Sequence, residues 1–183
     1  MERLLKEENI IGKRVFLRRL TLADISQTYV DWLNDSEVNH FLDIKHTRQT
    51  LATVSAYIQS YEQAKDRLLL GVFDIASNEH IGNITFSWID WLHDTGVIGI
   101  AIGNKAYWGK GYGSEALSLS VEFAFNKLKL HRLEAGISTL NVPSQRLFEK
   151  VGFRQEGRLK DRGKFGPTKY VDGFMYGIVN TSD

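Results

Sequence analysis

The chain has 183 residues and a mass of 20.9 kDa, enough to bury one sizeable core and too little for two ordinary domains, so a single domain over 1–183 is expected. Apolar residues at 43% and charged residues at 25% match a folded globular chain rather than a disordered one. Lys plus Arg number 23 against 22 Asp plus Glu, a balance that provides no field for a nucleic-acid partner, and the lack of cysteine excludes disulfides, thiolate metal sites and any covalent thioester on the protein.

The first residues alternate charge with short apolar pairs, without the continuous apolar core of a signal peptide, and no window reaches the length of a membrane span. A cytoplasmic enzyme or binding module with no membrane partner is therefore expected. Val15 to Leu20 reads as a first strand. Thr21 then opens an amphipathic helix, with Asp24 favouring its N-terminus and Leu22, Ile25, Tyr29, Trp32 and Leu33 as its apolar stripe. A second helix from about Arg48 to Lys65 carries Leu51, Val54, Tyr57, Ile58 and Tyr61 at helical spacing, with Thr47 as its cap.

Three β-branched or aromatic runs follow, Leu68 to Asp74, His80 to Ser87 and Thr95 to Ile102, separated by turn clusters as in an antiparallel meander. After Gly113 a helix runs to about Lys127 with Leu117, Val121, Ala124 and Leu128 facing inward, and a strand Arg132 to Ser138 completes a β-α-β crossover. Pro143 opens a short helix that Gly152 closes. Phe153 to Leu159 and Val171 to Ile178 read as a closing hairpin with a long, basic, Gly-rich connection. The sum is a mixed α/β layer structure.

Chemistry shows where the strand ending at Ile102 leads into Trp108-Gly-Lys-Gly-Tyr-Gly113 and directly into a helix. Glycines at 109, 111 and 113 let backbone approach a ligand closely, and the first helical turn points its free N–H groups outward with the positive end of the helix dipole. That is an anion or diphosphate cradle. A dinucleotide fingerprint fails, because Ser114 stands where its third glycine belongs and the preceding strands read as antiparallel; a Walker A loop is absent. Spacing alone leaves open a Gly-rich turn with no ligand. The histidines at 40, 46, 80, 93 and 131 have no metal-ligand spacing, so no metal is expected.

The loop, its flanking strand and helix, and the later Asn141-Val-Pro-Ser-Gln-Arg-Leu-Phe-Glu-Lys-Val-Gly-Phe153 together resemble the acetyl-CoA site of the GCN5-related N-acetyltransferases (GNAT), most closely the RimJ/RimL branch. The resemblance covers nearly the whole chain. It implies a central, mostly antiparallel seven-stranded sheet with about four helices and a splayed strand pair for the cofactor. Acetyl-CoA would be the acetyl donor, its pyrophosphate on the backbone of Trp108, Gly109, Lys110, Gly111, Tyr112, Gly113 and Ser114, and its pantetheine arm paired with the edge at Ile100, Ala101 and Ile102. Trp108 stands where the family pattern has Gln or Arg. Asn141 would bond the same arm; its ordinary structural role is a turn residue ahead of a Pro-started helix.

The family's frequent Tyr acid is replaced by Phe148, and Ser144 matches the serine that the RimJ/RimL branch places beside the sulfur, which makes it the catalytic candidate. An ordinary first-turn serine is its structural alternative. For the base, Asp90, His93, Asp94 and Glu115 are open through water, and none stands out; Glu115 also suits the first turn of a helix with no chemistry at all. Trp32, Asn34 and Trp88 are the acceptor-binding candidates, in segments that flank the acyl end of the cofactor in this family. The implied reaction is acetyl transfer to a primary amine, with a protein N-terminus favoured and a nucleotide-linked amino sugar or other small amine as the alternative. A catalytically idle coenzyme-A-binding module is the reading from another class. A homodimer through an exposed late strand is a family expectation.

Overall fold

Parity in the strands decides how the layers stack. The computed structural model describes residues 9–166 and 168–181; the charged N-terminal run at 1–8, part of the reading that no signal peptide is present, lies outside them. In β3 (Leu68–Asp74) every residue is buried, because Leu68, Leu70 and Val72 face one core while Leu69 and Phe73 face another. Helices cover both faces there. On one side α3 (Tyr112–Asn126) and α4 (Val142–Val151) bring Ala116, Leu117, Val121, Ala124 and Phe148. On the other, α1 (Gln27–Asn34) and α2 (Leu51–Glu62) bring Tyr29, Trp32, Val54 and Ile58.

The sheet has eight strands rather than seven, in the order β1-β2-β3-β4-β5-β6-β8-β7. The additional strand is β1 (Ile10–Ile11), which pairs for two residues with β2 (Val15–Arg19). β4 (His80–Asp90), β5 (Thr95–Ile102), β6 (Arg132–Ser138), β7 (Arg154–Lys164) and β8 (Tyr170–Val179) complete it. All pairings are antiparallel except β5 with β6. Much of the Gly-rich connection expected as loop is paired strand, and its irregularity is absorbed by register shifts between β7 and β8.

Other boundaries move for local reasons. Thr21 does not start the first helix: Asp24 accepts from the Thr21 amide at 2.8 Å and from its hydroxyl at 2.9 Å, which closes a 3-10 turn over Leu22–Asp24. Arg18 pairs with the same carboxylate, and the α-helix begins only after Ser26, whose hydroxyl accepts from the Tyr29 amide. For α2 the cap is Thr50 rather than Thr47, its hydroxyl accepting from the Thr53 amide at 3.2 Å. β4 runs past Ser87 to Asp90 through a bulge at Trp88, which takes φ +53°.

The expected splay is present between β5 and β6. They pair only at Thr95–Arg132, Gly96–Leu133 and Val97–Glu134; beyond that β5 continues along β4 to Ile102 and β6 along β8 to Ser138. Two supported strands thus part, each with one free edge facing the gap. The position of β5's exit is set by Gly103, where an added Cβ would fall inside the ring of Trp32. Trp32 itself is 6% exposed and packs at a tilt against Tyr29, 4.8 Å between centroids. Gly103→Ala is expected to cost about 1–3 kcal/mol of stability by overpacking. Urea unfolding reads it, and an unchanged midpoint would mean the ring is not confining the backbone there.

Candidate active site

The loop after β5 is held at every step before it reaches its glycines. Trp108 Nε1 donates to the Ile102 carbonyl at 2.8 Å, and the Gly103 and Asn104 amides donate to the Ile81 carbonyl at 2.9 and 3.2 Å. Glu79 then collects two donors, Asn104 Nδ2 at 2.7 Å and the Tyr107 hydroxyl at 3.0 Å. Next, Gly109 at φ +70° and Gly111 at φ +85° turn the chain into α3, a conformation that a side chain would strain. Gly111 is the N-cap and supplies no side chain, so the opening amides of α3 have no side-chain acceptor.

These amides border a groove of about 550 Å³ lined by Trp108, Gly109, Gly111, Gly113 and Ser114, with Arg146 and Lys150 of α4 opposite. Free N–H groups, a helix dipole and two facing cations fit a diphosphate. The cradle also has room, since a Cβ at Gly109 would meet nothing within 4 Å. Lys110 and Tyr112 lie to the side: the Lys110 carbonyl accepts from Arg14 Nη1 at 2.7 Å, and the Arg14 guanidinium sits 4.8 Å over the Tyr112 ring.

Glu115 does structural work here. Its Oε1 accepts from the amides of Lys13 and Arg14, both at 2.7 Å, and of Val15 at 3.3 Å, while Oε2 takes Arg14 Nε at 2.9 Å. Burial alone would raise its pKa, but the Arg14 amide and guanidinium and the other two amides outweigh that and hold the carboxyl below its ordinary range. Asp90 is similarly engaged, by His93 Nδ1 at 2.9 Å and by the Leu92 and His93 amides, in the turn ahead of Thr95. From there to Ile102 is roughly 23 Å of strand. Neither Glu115 nor Asp90 lines the cleft.

The groove passes Ile100 and Ala101 to a junction with a second compartment, of about 660 Å³, and Asn141 and Ser144 line both. Asn141 caps α4, its Oδ1 accepting from the Ser144 amide at 3.2 Å, so the turn-residue role is real and leaves Nδ2 for the cleft. Ser144 Oγ has no hydrogen-bond partner among the described residues. Phe148, where a tyrosine acid would stand, is a buried wall packed edge-on against Phe153 at 4.9 Å.

The second compartment opens at the splay and lies under α2 and the α1–α2 loop. Phe41 of that loop lines it and meets Phe165 of the β7–β8 connection, 6.0 Å between centroids, with the His40 ring 5.1 Å from Phe165. Among its described lining residues Asp43 is the lone carboxylate. Tyr29 reaches its floor, and the phenol oxygen accepts from Asn83 Nδ2 at 2.7 Å. His80 Nε2 faces two acceptors, the Gly82 carbonyl and Asn83 Oδ1 at 2.9 Å, and so donates; burial keeps that imidazole neutral by lowering its pKa. Burial also pushes the Tyr29 phenol up to about 12, so it stays protonated at neutral pH.

The acceptor candidates read from sequence fall elsewhere. Trp32 is in the core behind β5, and Asn34 ties α1 to the start of α2, bonding both the amide and the carbonyl of Gln49. Trp88 stands 79% exposed on the bulge of β4. None of the three lines the splayed cleft. What sequence reading did not single out is Tyr29, Asp43 and Asn83, which line the second compartment. Tyr29 alone carried a signal, as a hydroxyl on an otherwise apolar helix stripe, which needs a partner when buried.

Two variants check this anatomy. Gly111→Asp places a carboxylate in the cradle, and titration calorimetry should show acetyl-CoA affinity falling about tenfold or more; unchanged affinity would remove the cradle from the donor site. Glu115→Ala should cost about 1–3 kcal/mol by orphaning its donors. Because the folded carboxyl titrates below its unfolded value, that advantage is complete above the ordinary glutamate range and is lost as pH falls through the folded value. Unfolding curves of both proteins should therefore converge in acid, and a constant gap would contradict the ionic clamp.

The chain matches the family model described as acetyltransferase (GNAT) domain over residues 14–154. It is 28% identical over 178 residues to the uncharacterised N-acetyltransferase p20 of Bacillus licheniformis, covering 94% of this chain and 96% of that one. A GNAT-family acetyltransferase structure from Bacillus anthracis superposes with a TM-score of 0.81 at 28% identity, covering 94% of this chain and 98% of the other. RimL, the ribosomal L7/L12 alpha-N-protein acetyltransferase solved with coenzyme A, shares the fold at a TM-score of 0.86 and 18% identity, over 96% of this chain and 100% of its own. These relatives support a transferase and not an idle coenzyme-A-binding module. The match over 14–154, together with the splayed strands and glycine cradle, makes this chain a member of the GNAT family of acetyltransferases.

Proposed function

We propose that this enzyme acetylates the primary amine of a protein N-terminus, using acetyl-CoA as donor. The observation that carries the reading is the acceptor compartment, which holds among its described lining residues one carboxylate, Asp43, in otherwise largely apolar surroundings. A polyamine carries several ammonium groups along its length, and a site for it needs several buried carboxylates. An N-terminus brings one cation followed by an extended backbone. The free edge of β6 from Ala135 to Ser138 offers that backbone hydrogen-bonding groups, as strand addition does elsewhere.

Acetyl-CoA supplies the activated acetyl thioester. The amides of Gly109 to Ser114 with Arg146 and Lys150 hold its diphosphate in this reading, and the free edge of β5 at Ile100 to Ile102 and Asn141 Nδ2 hold the amide arm. Ser144 Oγ, unpartnered at the junction of the two compartments, holds a proton where the thiol is released. Tyr29, oriented by Asn83 and His80, presents its hydroxyl to the acceptor side and, being protonated, is not the base. A cytoplasmic location and a homodimer through the free edge of β7 belong to the same proposal.

Ser144→Ala is expected to lower kcat about a hundredfold while leaving acetyl-CoA binding intact. Mass spectrometry with peptides, polyamines and amino sugars reads the product, heavier by one acetyl group. Acetylation confined to polyamines or sugars would overturn the N-terminal assignment, and an unchanged kcat would return Ser144 to a purely structural place in α4.

A further inference from the structure

The β7–β8 hairpin contains a device that acetyl transfer, as described so far, does not use. β7 shifts register against β8 between Leu159 and Gly163, and Asp161 inside the shift adopts φ +50°. Asp172 of β8 fastens this bulge: its Oδ1 accepts from the Asp161 amide at 2.9 Å, and its Oδ2 accepts from Arg158 Nε at 2.7 Å. A bulge re-aims the side chain beside it. Here that side chain is Arg162.

Arg162 runs across the sheet from β7, over β8, to β6. Its stem crosses Gly173, where an added Cβ would collide with Cδ, and its guanidinium ends over Gly136, with Nη2 2.5 Å from where a Cβ would stand. Two glycines on neighbouring strands thus form a trough for one arginine. The trough ends beside the acceptor compartment: Gly136 is part of that compartment's wall, and the Arg162 guanidinium lies against Gly136 without itself belonging to the lining. Among the described residues Arg162 has no hydrogen-bond or ion-pair partner. Asp172, the carboxylate that holds the bulge, is already taken by Arg158 and the Asp161 amide.

We infer that Arg162 is a specificity residue that receives an oxyanion, a carboxylate or phosphate, carried by the acceptor at a distance from its amine. This rests on reading the compartment as the amine-acceptor site. A guanidinium fork binds both kinds of oxyanion through paired N–H groups, and a geometry maintained by a bulge, a carboxylate clamp and two glycines is preorganised for it. Lys160, Lys164 and Lys169 on the same hairpin add a positive field that draws such a group in. Asp43 on the α1–α2 side of the compartment supplies the opposite sign for the ammonium. The acceptor is thus a zwitterionic or amino-oxyanion molecule, entering with its cation toward Asp43 and its anion toward Arg162.

The test uses matched probes that differ only in the anion: the tripeptide amides Ser-Asp-Ala and Ser-Asn-Ala, and glucosamine 6-phosphate with glucosamine. Calorimetry on the CoA-saturated protein reads binding independently of turnover, and acetylation of the same probes is followed by mass spectrometry. In at least one pair the anionic member should bind about tenfold tighter, a ratio that Arg162→Gln brings close to one and Arg162→Lys restores in part. The pair that responds identifies a peptide carboxylate or a sugar phosphate as the source. Equal binding within both pairs, no binding by any probe, or a preference that survives Arg162→Gln overturns the inference. If Arg162-dependent binding appears but no probe is acetylated, the anion site stands and the acceptor reading of the compartment falls.

Discussion

Everything functional in this molecule depends on two neighbouring strands that agree to part. β5 and β6 are joined by pairing at only three positions, and each is then kept straight by its other neighbour, β4 for β5 and β8 for β6. The free backbone edges this leaves would be costly in a closed core, where N–H and C=O groups must be paired. They are tolerable because the gap is a cleft, open to water and to a peptide-like arm that can pair with them. The glycine-lined groove and the second compartment adjoin along that one gap, and Asn141 and Ser144 stand where they meet.

Keeping the gap's edge in place takes contributions from distant segments. Trp32 from α1 is pressed against Gly103 at the end of β5, and Glu79 ahead of β4 gathers Asn104 and Tyr107. Glu115 in the first turn of α3 is clamped by the amides of Lys13, Arg14 and Val15. The glycine loop lies between these anchors, so its positive-φ turns cost it little further order when a ligand binds. Conserving the cradle is thus a matter of rigid neighbours rather than of the loop's own stiffness. By contrast, the second compartment is bordered by Phe41 of the α1–α2 loop, which meets Phe165 of another long connection, the kind of element that changes specificity while the scaffold stays constant.

How far the sequence was legible follows from the range of each interaction. The cradle was visible because its glycines, its strand and its helix are contiguous, and because Asn141, Pro143 and Gly152 mark both ends of one short helix. Helix starts were misplaced where two caps competed: Thr21 and Thr47 look as suitable as Ser26 and Thr50 until Asp24 and Thr53 choose between them. The acceptor candidates stand outside the cleft lining for a deeper reason. Trp32 and Asn34 sit in a segment that does border the cleft, but which of its side chains face the cleft depends on packing against Gly103 and Gln49, far away in sequence.

Sequence alone therefore determined the mixed α/β class, the order of most elements, the glycine loop leading into a helix and the family resemblance, all of which rest on local periodicity or on motifs of a few consecutive residues. Only the tertiary structure decided that Glu115 is a clamp, that Tyr29 and Asp43 line one compartment, and that Arg162 lies in a trough of two glycines on other strands. Each of those outcomes depends on which surfaces the sheet brings together across its strands, and the register that does so is set by cross-strand packing and bulges rather than by any run of neighbouring residues.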